Sequence, residues 1–177
     1  MGAVYGILGG AGSGEMQAMS ARLAHRGAES ADWSPVSGLW LGVRGPRTLV
    51  DAQRDGTLAF DGAIDNREEL AERLGHRPGR AEPAGDAALV AEVWARFGEE
   101  GLAQIAGQFA VALYDAPGRR LILARDRVGY APLYFAMAGD RLVFASEYKA
   151  LLALDAIPAR ANRAALQTIH NTKWVRP

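Results

Sequence analysis

Residues 107–151 contain three short apolar runs separated by turn-forming residues. The runs cover 108–114, 120–125 and 141–145, and the breaks fall at 115–118 and 138–140. Runs of this length between turn residues predict strands joined by hairpins. The first two runs carry apolar side chains in both phases of a two-residue repeat, which is typical of strands buried on both faces. We therefore expect them at the centre of a layered domain.

The rest of the chain contains segments with the two-residue period of strands and segments with the 3.6-residue period of helices. Short apolar runs predict further strands at 4–8, 38–44, 47–50 and 57–60. Helical spacing of apolar residues predicts helices at 15–26, 66–74, 86–98, 147–154 and 163–169. Asn66 and Glu69 form a predicted capping pair, and Asp86 stands where an ordinary N-cap would.

Composition narrows the classes of function. The chain has 177 residues, enough for one domain with a substantial core, and its 20 basic residues balance 20 acidic ones. This balance favours neither nucleic acid nor an anionic membrane as a partner. Because no long apolar run or signal-peptide pattern is present, we expect a cytoplasmic location. The chain has no cysteine, which excludes disulfides, thiolate metal sites and a thiol nucleophile.

The central block also carries a specific pattern of residues. It contains FAVALYD at 109–115, LILARDRVGYAPLY at 121–134 and LVFASEYKALL at 142–152. Together these stretches resemble the class II glutamine amidotransferase domain of asparagine-synthetase-like enzymes. His25-Arg26-Gly27 resembles the same family, whereas Ala131 stands where the family usually has a basic residue.

The resemblance implies an α+β fold, an N-terminal-nucleophile-hydrolase-like sandwich of two antiparallel sheets between helical layers. It implies an amidotransferase-like domain over residues 1–157. Residues 158–177 would then begin a linker to an ATP-dependent synthetase domain.

The resemblance also shows where the catalytic residues of the family have been replaced. Active members use an N-terminal cysteine as nucleophile, and Gly2 occupies that position here; the first Ser or Thr is Ser13. The family's Asn-Gly pair, which forms the oxyanion hole, corresponds to Asp61-Gly62. An ionised Asp61 could not donate a hydrogen bond to an oxyanion and would repel it. We therefore expect no catalytic residue in this chain and no bound metal.

Four residues correspond to the family's glutamine-binding positions and are expected to be vestigial. Arg44 and Arg47 are both candidates for the arginine that binds the glutamine carboxylate in a bidentate contact. Gly62 belongs to the oxyanion pair. Asp86 corresponds to the aspartate that holds the amino group of glutamine.

The resemblance implies a catalytically inactive scaffold domain of an amide-forming enzyme, of the kind found in β-lactam synthetases and lasso-peptide cyclases. ATP and magnesium would act in the synthetase domain, because the S-G-G-x-D-S pyrophosphate loop occurs nowhere in these residues. The substrate would be a peptide or a small carboxylate. The alternative is a stand-alone ligand-binding or regulatory module that keeps a glutamine-like pocket without hydrolysis.

Overall fold

The computed structural model describes residues 2–10, 12–45, 48–53, 56–76, 85–161, 163, 166 and 167. Within these ranges the chain forms nine strands, four α-helices and one 3₁₀ turn. The strands are β1 Ala3–Leu8, β2 Ser30–Val36, β3 Leu39–Arg44, β4 Thr48–Gln53, β5 Gly56–Ile64, β6 Gly107–Asp115, β7 Arg120–Arg125, β8 Tyr134–Ala138 and β9 Arg141–Ala145. The helices are α1 Ser13–Arg22, α2 Arg67–Arg73, α3 Asp86–Leu102 and α4 Tyr148–Leu151, and the 3₁₀ turn is Ala24–Arg26.

The strands form two antiparallel sheets that pack face to face. One sheet has the order β2-β3-β1-β9-β8 and the other the order β4-β5-β6-β7. Helices α1 and α4 cover the outer face of the five-stranded sheet, and α3 covers that of the four-stranded sheet, with α2 packed against α3. The predicted α+β sandwich of two antiparallel sheets between helical layers is confirmed.

Three apolar clusters hold these layers together. The first lies between the four-stranded sheet and α3, the second between the five-stranded sheet and helices α1 and α4, and the third between the two sheets. Strand β6 contributes to both faces of its sheet, with Val111 in the first cluster and Ala112 in the third. Burial of β6 on both faces, as the sequence predicted, is therefore confirmed, whereas β7 is an edge strand and only half-buried.

Two strands were not predicted, and one predicted hairpin is wrong. Strand β2 is mostly exposed and contains Pro35, which is uncommon in strands, and three of the five side chains of β8 are exposed, so neither strand buries one face as an ordinary half-buried strand does. The turn at 138–140 joins β8 to β9 rather than β7 to β9. Strands β7 and β9 belong to different sheets, because residues 126–133 carry the chain from one sheet to the other.

The helices differ from prediction mainly at their ends. The segment predicted as one helix over 15–26 forms α1 and then the 3₁₀ turn, and α4 is shorter than the predicted 147–154. Helix α3 continues past its predicted end, although Gly98 leaves helical geometry with φ 59° and kinks it. The predicted helix over 163–169 falls mostly outside the described residues.

Asn66 is the N-cap residue of α2, as predicted, but the predicted capping bonds of the Asn66–Glu69 pair do not form. The Asn66 side chain accepts the Ala106 N–H at 2.9 Å and donates to the Gln104 carbonyl at 3.1 Å. It also donates to Glu69, but it makes no capping bond to the helix backbone. Asn66 therefore ties the end of β5 to the segment that leads into β6.

Candidate functional site

The two sequence positions expected to have lost catalysis lie in direct contact. The Gly2 nitrogen donates a hydrogen bond of 2.8 Å to Asp61 Oδ1, and both residues are buried. Strand alternation explains the contact. Ala59 on β5 and Val4 on β1 face the space between the sheets, so Asp61 and Gly2, each two residues away, face it as well.

Burial raises the pKa of Asp61 above its ordinary value, and this effect exceeds the opposing effects of the Gly2 hydrogen bond and the nearby Arg26 charge. The ionised form of Asp61 is thus less favoured than the sequence suggested. Its Oδ1 nevertheless acts as a hydrogen-bond acceptor toward Gly2. A carboxyl oxygen that accepts stands where the resembled family has an amide side chain that donates.

Backbone surrounds Gly2 on its other sides. Gly45 has a φ of 110°, and a Cβ at that residue would lie 2.8 Å from the Gly2 Cα. Arg26 donates through Nη1 to the Gly2 carbonyl oxygen at 2.8 Å. Gly2 is therefore fixed through both its nitrogen and its oxygen, in a position that leaves little space beside Gly45.

Glu147 connects the two family motifs around this position. It accepts hydrogen bonds from Arg26 Nε and from His25 Nε2, the latter at 2.7 Å, and pairs with Lys149 at 3.0 Å. The neighbouring Ser146 Oγ accepts the Val4 N–H at 2.9 Å. The start of α4 is thereby linked to the start of β1 and, through Arg26, to Gly2.

Glu147 should make stability depend on acid pH. Burial disfavours its ionised form, but hydrogen bonds from Arg26, Lys149 and His25 outweigh burial and lower its pKa from 4.5 to about 2. A lowered folded-state pKa contributes stability that is present above pH 4.5 and lost as the pH falls toward 2. We expect Glu147→Gln to lower the free energy of unfolding by about 1 to 3 kcal/mol at pH 7.

Denaturant unfolding of the unaltered chain and of Glu147→Gln, between pH 7 and pH 2, measures the difference in their free energies of unfolding. This difference should disappear near pH 2. Glu99→Gln is the matched control, because Glu99 pairs with Arg120 while both side chains are more than half exposed. Such exposed pairs contribute little. If the stability difference between the unaltered chain and Glu147→Gln stayed constant down to pH 2, the lowered pKa of Glu147 would not be its source.

Arg44 is engaged within the chain. Its Nε donates to the Gly27 carbonyl at 2.7 Å and its Nη1 donates to Ser20 Oγ at 2.8 Å. These bonds connect β3 to α1 and to the segment after the 3₁₀ turn. Arg47, the other candidate for carboxylate binding, lies outside the described residues.

Gly62 is required by the packing of the sheet. It pairs with Phe109 on β6 and has a φ of 146°. A Cβ at this position would lie 2.6 Å from the Phe109 Cα and would also overlap the Gln108 carbonyl oxygen. A glycine here therefore has a structural explanation that is independent of any oxyanion.

Asp86 is the first residue of α3 and not its N-cap, which is Gly85. One carboxylate oxygen accepts the Ile64 N–H at 3.0 Å, and the other pairs with Arg67 Nη1. The carboxylate that would hold the amino group of glutamine is thus paired with a cation of the chain itself. Sequence reasoning missed Arg67, because nothing in the resembled motif specifies that position.

A cavity of about 530 Å³ lies near this pair, lined by residues 65–69 with Ala71 and Leu89. Gly2 and Asp61 are not among its lining residues. Gly2 and Asp61 are thus in contact and Gly62 follows Asp61 on β5, whereas the Asp86 carboxylate lies at Ile64, the last residue of that strand.

Comparison with known proteins assigns this arrangement to a family. The family described as "Glutamine amidotransferase domain" matches the chain over residues 1–177. The chain belongs to that family. This amidotransferase domain is 32% identical over 113 residues to asparagine synthetase [glutamine-hydrolyzing] 3 of Bacillus subtilis, covering 64% of the chain and 18% of that protein. It is 32% identical over 146 residues to asparagine synthetase [glutamine-hydrolyzing] 2 of Oryza sativa subsp. japonica, covering 75% of the chain and 24% of that protein.

Solved structures agree on the fold. Glutamine phosphoribosylpyrophosphate amidotransferase from B. subtilis, complexed with ADP and GMP, superposes with a TM-score of 0.66 at 21% identity, over 85% of the chain and 43% of that structure. The expected N-terminal-nucleophile-hydrolase-like fold is confirmed. The matched part of the chain covers a quarter or less of the length of the asparagine synthetases cited above.

Two further observations bear on partners. Among the described residues, no helix is long and apolar enough to cross a membrane. In the same residues, no group of three or more His, Asp or Glu side chains could hold a metal ion.

Proposed function

We propose that this amidotransferase domain does not hydrolyse glutamine and serves as the scaffold domain of an ATP-dependent, amide-forming enzyme of the asparagine-synthetase family. The observation that carries the proposal is the contact between Gly2 and Asp61. Gly2 offers no side chain to attack an amide carbon, and the Asp61 oxygen beside it accepts a hydrogen bond. Nucleophile and oxyanion donor are both replaced.

The pairing of Asp86 supports the same proposal from the binding side. Arg67 neutralises the carboxylate that would otherwise attract the ammonium group of glutamine. Arg44 donates to three groups of the chain, including the Ala28 carbonyl at 3.5 Å. A domain that is kept only for its fold can lose both the binding and the hydrolysis of glutamine without loss of its role.

An enzyme with such a domain must obtain its nitrogen elsewhere. We propose the chemistry of the macrolactam- and β-lactam-forming relatives, in which the amine belongs to the substrate. A carboxylate oxygen of the substrate attacks the α-phosphorus of ATP and releases pyrophosphate. The substrate amine then attacks the acyl carbon, loses a proton and releases AMP, so no ammonia is consumed.

The natural polypeptide tests this proposal. We expect it to extend well beyond residue 177 and to contain an S-G-G-x-D-S loop. With ATP, magnesium and an amine-bearing carboxylate, we expect it to form AMP and pyrophosphate in equal amounts without glutamine. A natural polypeptide without an ATP-dependent domain would contradict the proposal.

The rival function is a module that binds glutamine without cleaving it. Isothermal titration calorimetry with millimolar glutamine distinguishes the two, and we expect a flat trace because Asp86 is already paired. The titration should remain flat for Arg73→Ala, which alters another arginine of α2 while leaving the Arg67 pair intact. A saturable isotherm for the unaltered chain would favour the binding module.

A further inference from the structure

One edge of the five-stranded sheet lacks the protection found at the other. The edge strand β2 contains a charged residue, Asp32, and Pro35, both of which discourage pairing with another chain. The opposite edge strand, β8, has the sequence YFAMA and carries no charge. Phe135 and Met137 on this strand are 68% and 63% exposed. Apolar edge strands of this kind are normally covered.

The geometry of the sandwich explains the exposure. Strand β3 packs over β4 and β5, and β1 packs over β5 and β6. Because β9 and β8 follow β1 in the five-stranded sheet, β8 lies past β7, where the four-stranded sheet has ended. Phe135 pairs with Phe144, a residue that faces the space between the sheets, so Phe135 faces the same side without a strand opposite it.

Neighbouring segments extend this surface. The loop 126–133 crosses the same open edge and exposes Val128 and Tyr130. On the helical side of β8, Tyr134 packs edge-to-face against Tyr148 of α4, with ring centroids 6.3 Å apart, and both rings remain exposed. We define the β8 patch as these six exposed residues: Val128, Tyr130, Tyr134, Phe135, Met137 and Tyr148.

The loop part of the patch is held in a fixed conformation. The buried Asp126 carboxylate accepts backbone N–H groups from Val128, Tyr130 and Ala131, at 3.2, 2.9 and 2.9 Å. Arg127 donates to the Ala103 carbonyl oxygen at 2.8 Å. An exposed aromatic residue on a loop organised in this way is presented to a partner at little cost in conformational entropy.

We infer that the β8 patch is the surface on which the ATP-dependent domain of the same polypeptide docks. The inference rests on the proposed function, which supplies that domain. Two observations favour this occupant over a second copy of the chain. The matched asparagine synthetases are at least four times as long as the matched region, since it covers 24% or less of each. In addition, the chain runs on past residue 151 directly from α4, which carries Tyr148 of the patch.

A domain tethered next to the patch would be present at an effective concentration on the order of millimolar. Intramolecular docking at that concentration needs only modest intrinsic affinity. Aromatic residues and methionine, which make up five of the six patch residues, are enriched in the cores of protein interfaces.

Hydroxyl-radical footprinting of the complete natural polypeptide tests the inference directly. The reference is the same polypeptide unfolded in guanidinium chloride. We expect oxidation of Met137, Phe135 and Tyr134 to be slowed about tenfold or more, and equally at low and high protein concentration. Oxidation near the rate of the unfolded reference would overturn the inference. Protection that grows with protein concentration would assign the patch to a second copy and would also overturn it.

A pair of matched variants makes the test independent of footprinting. Phe135→Lys and Val36→Lys both place a charge on an exposed edge strand of the same sheet, and only the first lies in the β8 patch. We expect Phe135→Lys to accelerate proteolysis after α4 by about tenfold while Val36→Lys leaves it unchanged. Equal proteolysis of the two variants would overturn the inference. A natural polypeptide with no ATP-dependent domain would instead contradict the proposed function, so the two failures are distinguishable.

Discussion

In an Arg67→Ala background, which frees Asp86 from its ion pair, a chain that carries Gly2→Cys together with Asp61→Asn is expected to release ammonia from glutamine about 10² to 10³ times faster than a chain that carries Gly2→Cys without Asp61→Asn. The cysteine supplies a nucleophile once Met1 is removed, and the free amine supplies a base. With Asp61 in place, an oxygen that accepts a hydrogen bond still faces this position. With Asn, an N–H donor becomes available there for the oxyanion.

Coupled detection of glutamate or ammonia measures this ratio, after intact mass has verified removal of Met1. Asp61→Asn without the cysteine is the control and is expected to stay at the blank rate. If Gly2→Cys alone were as fast as the double variant, Asp61 would not be the obstacle we describe. If every variant were silent even with Arg67 replaced, freeing Asp86 would not be enough to restore glutamine binding.

Gly62→Ala is expected to destabilise the domain by more than about 4 kcal/mol or to prevent its folding. The φ of 146° strains any residue with a side chain. In addition, the added methyl group would overlap the backbone of β6 at Gln108 and Phe109, where no side chain can move aside. The central strands β5 and β6 would have to separate.

Gly14→Ala is the matched control, because no atom lies within 4 Å of a Cβ added there and the residue belongs to α1. We expect it to change the free energy of unfolding by less than about 1 kcal/mol. Denaturant unfolding, or soluble yield where the variant does not fold, compares the two. Equal stability of Gly62→Ala and the unaltered chain would show that packing does not require this glycine.

The sequence predicts best those parts of the fold in which local pattern and burial agree. Strand β6 has apolar residues in both phases, and it occupies the interior of its sheet with both faces covered. Strand β8 escapes prediction for the opposite reason, because Phe135 and Met137 lie on the inter-sheet side where no strand lies opposite, so their apolar side chains stay exposed. Turn residues at 138–140 locate the hairpin but do not say which strand enters it.

The candidate site divides in the same way. Gly2 and Asp61 are recognised from the resembled motifs, and strand alternation alone places both residues toward the space between the sheets. The contact between Asp86 and Arg67 depends instead on how the start of α3 meets the end of β5, which is a long-range relation without a local signal. Glu147 likewise lies 121 positions from Arg26 along the chain, and only the pairing of β9 with β1 brings them together.

Heavy-nitrogen labelling tests whether this domain has lost glutamine hydrolysis. The complete natural polypeptide would be incubated with ATP, magnesium and glutamine labelled with ¹⁵N in its amide group. We expect no labelled ammonia above the blank and no labelled nitrogen in any product. Labelled ammonia that appears in proportion to the enzyme, and that survives repeated purification, would show that the domain still hydrolyses glutamine.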